Sequence, residues 1–203
     1  CALPIFYVHE SVAKEFADKF EAALRGMKIG PGVEQENDLG AMVSVKERDK
    51  ILELVKAAEG EGKKVDPVQA APESGAFIAP YLVRDVDHGS TLTKNEIFGP
   101  IAPIVTFDDQ AEAIRMANDT EYGLAASIFS ANARTALRAA RDIRAGTVTV
   151  NCYGEGDIST PFGGFNQSGF GGRDNGIHAH DQYTQLKTIC IDLTDPADGD
   201  NVG

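Results

Sequence analysis

Apolar positions along this chain alternate between a helical period and short runs of buried-strand type. Val12, Phe16, Phe20 and Leu24 recur every four residues behind Ser11, predicting a helix capped by Ser11 and ended by Gly26. Residues 27–39, rich in Gly, Pro and Asp, form a connector. Ser44 with Glu47 makes a capping box for a second helix, with Ile51, Val55 and Ala58 on one face and Gly60 and Gly62 at its exit. Residues 63–75 are expected on the surface, and 77–82 as a strand interrupted by Pro80. Residues 101–107 suit a buried strand. Asp109 and Glu112 open a short helix bearing Ala111 and Ile114, and 125–129 forms another buried strand. Residues 132–144 are an Ala/Arg-rich helix with Ala133, Leu137 and Ala140 inward, stopped near Gly146. Residues 147–150 and 187–193 complete the strands. Strands separated by helices imply crossover units, hence an α/β fold with a mainly parallel sheet flanked by helices on both faces.

Composition narrows the function. The 203 residues are 42% hydrophobic and 25% charged, with 21 glycines, as expected of a globular enzyme rather than a disordered chain. The 19 Lys and Arg against 31 Asp and Glu give a formal charge of −12. Nucleic-acid binding needs a basic footprint, so this balance argues against it. No apolar run approaches the ~20 residues that span a bilayer, so no membrane partner is expected. Cys1, Cys152 and Cys190 are too scattered for a disulfide framework or a metal site, which favours a cytoplasmic setting.

The glycine-rich stretch 151–175 is the longest loop, and loops of that length in compact domains are usually functional. Gly169-Phe170-Gly171-Gly172 lacks the third glycine of a dinucleotide fingerprint, so close backbone packing is the better reading than a phosphate cradle. His178 and His180 lack a third ligand at metal-site spacing. Ser168 does not lie in a nucleophile elbow. Glu96-Ile97-Phe98-Gly99-Pro100 sets a carboxylate and a ring two residues apart before a buried strand. Ends of parallel strands are where open α/β sheets bind ligands.

That motif is followed in order by Asn118-Asp119-Thr120-Glu121-Tyr122-Gly123-Leu124 and Arg144-Ala145-Gly146-Thr147-Val148-Thr149-Val150-Asn151. Then come Pro161-Phe162-Gly163-Gly164-Phe165-Asn166-Gln167-Ser168-Gly169 and Tyr183-Thr184-Gln185-Leu186-Lys187-Thr188. The succession resembles the C-terminal half of the aldehyde dehydrogenase superfamily, over nearly all of residues 6–193. With Gly154-Glu155-Gly156-Asp157 ahead of the Pro-Phe-Gly-Gly run, it looks most like the γ-glutamyl-γ-aminobutyraldehyde dehydrogenases.

The resemblance implies oxidation of an aldehyde to a carboxylic acid. In that family a cysteine thiolate adds to the carbonyl, hydride leaves to NAD or NADP, and a glutamate-activated water hydrolyses the thioester. Glu96 would accept hydrogen bonds from the nicotinamide-ribose hydroxyls, and Phe98 would pack beside the nicotinamide. Phe162 would line the aldehyde pocket. Glu155 and Asp157 fall in the substrate loop and are expected to favour an amine-bearing aldehyde by charge attraction, the plainer reading being solvated loop acids. No catalytic residue is assigned: Cys1 sits one position too close to Tyr7, and residues 2–5 lack the family's Ala-Gly pair and basic residue. The nucleophile, the general base and the cofactor-binding domain are expected before residue 1.

The expected organisation is a partial catalytic domain over 1–182, a strand over 183–193 that joins a neighbouring subunit in a homo-oligomer (dimer or tetramer), and an acidic tail over 194–203. The alternatives are an inactive folding and oligomerisation fragment, and a reductase acting on an acyl phosphate or acyl-CoA.

Overall fold

The computed structural model describes residues 4–154 and 156–193; Cys1, Glu155 and the tail 194–203 lie outside the described residues. Five strands are separated by five α-helices among the described residues, two of them between the first and second strands: β1 (Phe6–His9), α1 (Glu10–Gly26), α2 (Val45–Gly60), β2 (Tyr81–Val83), α3 (Thr91–Lys94), β3 (Ile101–Phe107), α4 (Gln110–Asn118), β4 (Ala125–Ile128), α5 (Ala133–Asp142) and β5 (Thr147–Val150). Two 3-10 turns follow, at Asn166–Ser168 and Ile177–Gln182.

Among the described residues every ladder between these strands is parallel, as the alternating pattern predicts, with an isolated antiparallel bridge from Tyr81 to Pro67, but the strands form two sheets rather than one. In the first, β3 lies between β1 and β2. β2 pairs with Ile101–Pro103, and β1 takes over at Ile104. Pro103, which cannot donate to a ladder, therefore sits where one ladder hands over to the other. Both faces of β3 are apolar. Ile101 and Val105 join Ile51, Val55 and Ala58 of α2 and Leu92 of α3. Ala102 and Ile104 join Val8 and Ala17 on the opposite side. There Phe6, Phe16 and Phe20 pack ring against ring at 5.1–5.9 Å between centroids.

Three of the five helix starts are capped by a Ser, Asp or Asn side chain, while Ser90 at the start of α3 makes no side-chain cap bond. Ser44 accepts from Glu47 N, Asp109 from Glu112 N, and Asn132 from both Arg134 N and Thr135 N. The first helix, however, is capped by His9 and not Ser11. The last residue of β1 is already extended, and its Nδ1 accepts from Ser11 N at 3.2 Å. The apolar stripe of α1 is accordingly Ala13, Phe16, Ala17, Phe20 and Leu24, and Val12 is turned half out to solvent.

Other expectations are corrected. Residues 77–80 carry no ladder, because Pro80 delays β2 to Tyr81. Residues 63–75 are not a free surface loop. Val65 and Val68 are buried, and Gln69 Nε2 donates to the carbonyls of Leu24 and Met27. On α4, Ala111 is exposed, and the buried side chain is Met116. On α5, Ala136 and Ala139 are buried, whereas Ala133 and Leu137 face solvent. β4 is not buried: with α5 and β5 it forms a two-stranded parallel unit whose residues are exposed or half-exposed. The strand expected over 183–193 is assigned to a neighbouring subunit, and within this chain residues 184–193 pair with no strand while Tyr183, Leu186, Ile189, Ile191 and Leu193 are exposed.

Candidate functional site

Residues 96–100 form the short turn, bent at Gly99 and Pro100, between α3 and the amino end of β3. The carboxyl-end rule for ligand sites therefore does not account for this motif, and its local geometry must. Ile97 is buried in the core and anchors the turn from within. Gly99 lies against Ile51, where a Cβ would stand 2.5 Å from Ile51 Cδ1. Pro100 O accepts from Tyr81 N at 2.8 Å. Between these anchors Phe98 adopts φ +50°, a conformation that is strained for a bulky side chain. Phe98 is 66% exposed, and Glu96 is exposed on the same turn.

Three further motifs are knitted directly to one another. Gly123 O accepts from Gly146 N at 3.0 Å and from Phe165 N at 2.9 Å, while Gly123 N donates to Ser168 Oγ at 3.1 Å. Gln167 N donates to Glu121 O, and Thr147 N to Leu124 O. Asn118 links the ends of α4 and α5: its Oδ1 accepts from Arg144 N and its Nδ2 donates to Asp142 O. The glycines work by close packing. A Cβ at Gly146 would overlap the carbonyl oxygen of Gly163, and one at Gly163 would stand 2.6 Å from Gly172 O. Phe162 is half-buried and held by a reciprocal pair of 2.7 Å backbone hydrogen bonds with Asp174. Arg173 lies over the Phe165 ring at 5.3 Å.

Asp157 is exposed, and its Oδ1 accepts from Ser159 Oγ at 2.5 Å and Ser159 N at 2.7 Å. The Ser159 hydroxyl first and its amide second lower this carboxyl below its ordinary range. Glu155, the other acid of the loop, lies outside the described residues. His178 and His180 lie on the second 3-10 turn, and among the described residues no three His, Cys, Asp or Glu side chains are grouped to hold a metal.

A polar groove of about 560 Å³ is lined by Thr93, Lys94 and the run Asn118–Tyr122. Glu96, Phe98, Asp157 and Phe162 do not line it. Its wall holds a group that sequence spacing does not reveal. Asp119 Oδ2 accepts from His88 Nε2 at 2.8 Å and from Lys94 Nζ at 2.9 Å, and His88 Nδ1 lies 3.1 Å from Tyr7 Oη. Lys94 first and His88 second lower the Asp119 carboxyl below its usual range.

The chain is similar to known proteins over most of its length. The profile of the aldehyde dehydrogenase family matches residues 1–189. An aminoacetaldehyde dehydrogenase of Pseudomonas aeruginosa is 49% identical over 187 residues, covering 92% of this chain and 38% of that protein. A betaine aldehyde dehydrogenase of Brucella abortus is 34% identical, with 92% and 39% covered. Among solved structures, the NAD+ complex of an aldehyde dehydrogenase from Bacillus cereus superposes with a TM-score of 0.89 at 34% identity, covering 94% of this chain and 39% of that one. The aldehyde dehydrogenase KauB of P. aeruginosa superposes with a TM-score of 0.86 at 37% identity, with 91% and 38% covered. The chain thus spans under two-fifths of the length of these relatives.

Proposed function

The chain belongs to the aldehyde dehydrogenase family, and we propose that it serves in the nicotinamide-dependent oxidation of an aldehyde, by preference an amino-aldehyde, to a carboxylic acid. The observation that carries this reading is the turn at 96–100. It spends backbone strain to present an aromatic ring outward, with a carboxylate two residues before it.

These residues suit a nicotinamide cofactor. An exposed carboxylate is a strong acceptor for vicinal ribose hydroxyls, and an exposed ring on a rigid turn is a surface for a flat heteroaromatic group. Glu96 would hold the ribose and Phe98 would orient the ring beside it. When bound, NAD or NADP supplies the hydride acceptor. Phe162, set on a loop fixed by backbone bonds to Asp174, would form an apolar wall that confines the aldehyde and excludes water.

The amino-aldehyde preference is supported by two points. Asp157 is an exposed carboxylate oriented by hydrogen bonds from Ser159, and the relative at 49% identity is named for an aldehyde that bears an amine. Glu155 would add a second charge to the same loop. Residues 183–193, rich in exposed apolar side chains, would pair with a neighbouring subunit in a homo-oligomer of the whole protein. No helix among the described residues is long and apolar enough to cross a membrane. A cytoplasmic setting accords with the exposed, unbridged Cys152 and Cys190.

The test is Glu96→Gln in the enzyme extended to the length of its relatives. A charge-assisted hydrogen bond contributes about 1.5–3 kcal/mol, so the KM for the cofactor should rise about tenfold or more. An unchanged cofactor KM and kcat would overturn the assignment. In parallel, the 203-residue chain alone is assayed for NAD(P)H formation with an amino-aldehyde. It is expected to give no turnover, and activity there would reject the view that it acts only as part of a larger catalytic unit.

A further inference from the structure

Tyr7, His88, Asp119 and Lys94 come from β1, the loop after β2, the end of α4 and the end of α3, and they form one chain of hydrogen bonds. Lys94 is the last residue of α3, two before Glu96, and it grips Asp119 twice, through Oδ2 at 2.9 Å and the backbone oxygen at 3.3 Å. The segment entering the 96–98 turn is therefore tied to α4 through Asp119. The loop bearing His88 is tied to α3 as well, because Thr93 Oγ1 donates to His88 O at 2.5 Å.

The chain of bonds has two proton arrangements. Tyr7 Oη lies 3.1 Å from His88 Nδ1 and 3.3 Å from Met116 O. Burial, helped by the Asp119 charge, pushes its phenol up to about 12, so it keeps its single proton. If that proton goes to Met116 O, the Tyr7 oxygen is free to accept from a protonated Nδ1. With Nε2–H on Asp119, the His88 ring is then an imidazolium. If Nδ1 is bare, the Tyr7 hydroxyl turns to it and the ring is neutral. The facing charged groups are Asp119 and Lys94. Asp87, beside His88 in the chain, is neutralised by Lys63 at 2.5 Å.

We propose that Asp119 is a positioning residue for the Glu96–Phe98 turn, and that the proton on His88 sets how firmly it holds Lys94. His88 and Lys94 donate to the same oxygen, Oδ2. A charged His88 repels the Lys94 ammonium and is the stronger competitor for that oxygen, so acidification loosens the tether; a neutral ring still donates from Nε2 but without the charge, and Lys94 holds Oδ2 more firmly. The functional value rests on Glu96 and Phe98 being the cofactor contacts.

The experiment is amide hydrogen exchange at residues 95–98 in the 15N-labelled 203-residue chain without cofactor, corrected for intrinsic pH dependence, alongside the 15N titration of the His88 ring. Opening should rise about threefold as His88 gains its proton, the size expected of partly exposed ion pairs. His88→Gln, which keeps an N–H donor but cannot gain a proton, should abolish the step. Asp119→Asn should loosen 95–98 about threefold at every pH, and Asp119→Glu should restore protection. Unchanged exchange in Asp119→Asn, or a pH step that survives in His88→Gln, overturns the proposal. Should the variants fail to fold, the unmodified chain still decides: the Phe98 amide shift must follow the His88 inflection, and a Phe98 signal indifferent to it overturns the proposal. Because no cofactor is present, failure here leaves the Glu96 assignment standing, whereas an unchanged cofactor KM in Glu96→Gln rejects that assignment alone.

Discussion

Gly146 marks the tightest backbone approach in the candidate site, and replacing it with alanine tests whether the glycine-rich region is a packed scaffold or slack loop. A Cβ at this position would overlap Gly163 O and stand 2.8 Å from Gly163 C and 3.2 Å from Gly164 Cα. All three are backbone atoms next to Phe162, so no side-chain rotation can relieve the contact. The Gly123 O to Gly146 N bond at 3.0 Å pins the other side. Overpacking of this kind costs about 1–3 kcal/mol, and the absence of a yielding side chain puts Gly146→Ala at about 3 kcal/mol. The control is Gly60→Ala at the end of α2, where nothing lies within 4 Å of a new Cβ and no positive φ is required. There alanine should stabilise by about 0.5–1 kcal/mol through lower unfolded-state entropy and better helix propensity. Urea unfolding of the three proteins followed by circular dichroism measures both effects, and amide exchange at 162–165 localises the first. Opposite signs are expected. A Gly146→Ala loss below about 0.5 kcal/mol would mean that the 161–169 loop yields freely, and the rigid wall assigned to Phe162 would have no basis.

Leu92 is 1% exposed between α3 and the core; Leu92→Ala should cost about 2–5 kcal/mol in urea unfolding and raise exchange at 95–98, because α3 leads into the turn. In the extended enzyme, Asp157→Asn, alone and with Glu155→Gln, should lower kcat/KM for an amino-aldehyde relative to a neutral aldehyde of equal length. An unchanged ratio would reduce both acids to solvated loop charges. Asp18, Glu21 and Asp119 all have lowered carboxyl pKa values, the first two through Lys14, Arg25 and Arg84 and the last through Lys94 and His88. Their contribution to stability is fully present above the ordinary carboxylate range and is lost as pH falls through the lowered folded-state values. Arg84→Met should therefore flatten the acid limb of a stability–pH profile measured by urea midpoints, and an unaltered limb would show that the Arg84 pairs are idle.

What could be read from the chain and what could not divides along a physical line: local chemistry against long-range choice. Ser44, Asp109 and Asn132 cap their helices through atoms two or three residues away, so their role is written in a short window. The phase of α5 is not, because alanines at 133, 136, 139 and 140 lie on several faces and only the packing selects Ala136 and Ala139. Glu96 and Phe98 stand out by motif order, yet the left-handed φ that turns Phe98 outward is imposed by Ile97, Gly99 and Pro100 meeting a core assembled from distant elements. Tyr7 and His88 are 81 residues apart and His88 and Asp119 are 31 apart, so no window contains the network they form. The limit is sharpest at residues 183–193. A strand is a pairing between two backbones, and β character in one segment says only that it could pair. Leu186, Ile189 and Ile191 have the composition of a strand and remain exposed in the single chain. If their partner is a neighbouring subunit, as proposed, then no single-chain pattern could complete the assignment, and the exposed apolar segment is the surface that such a pairing would cover.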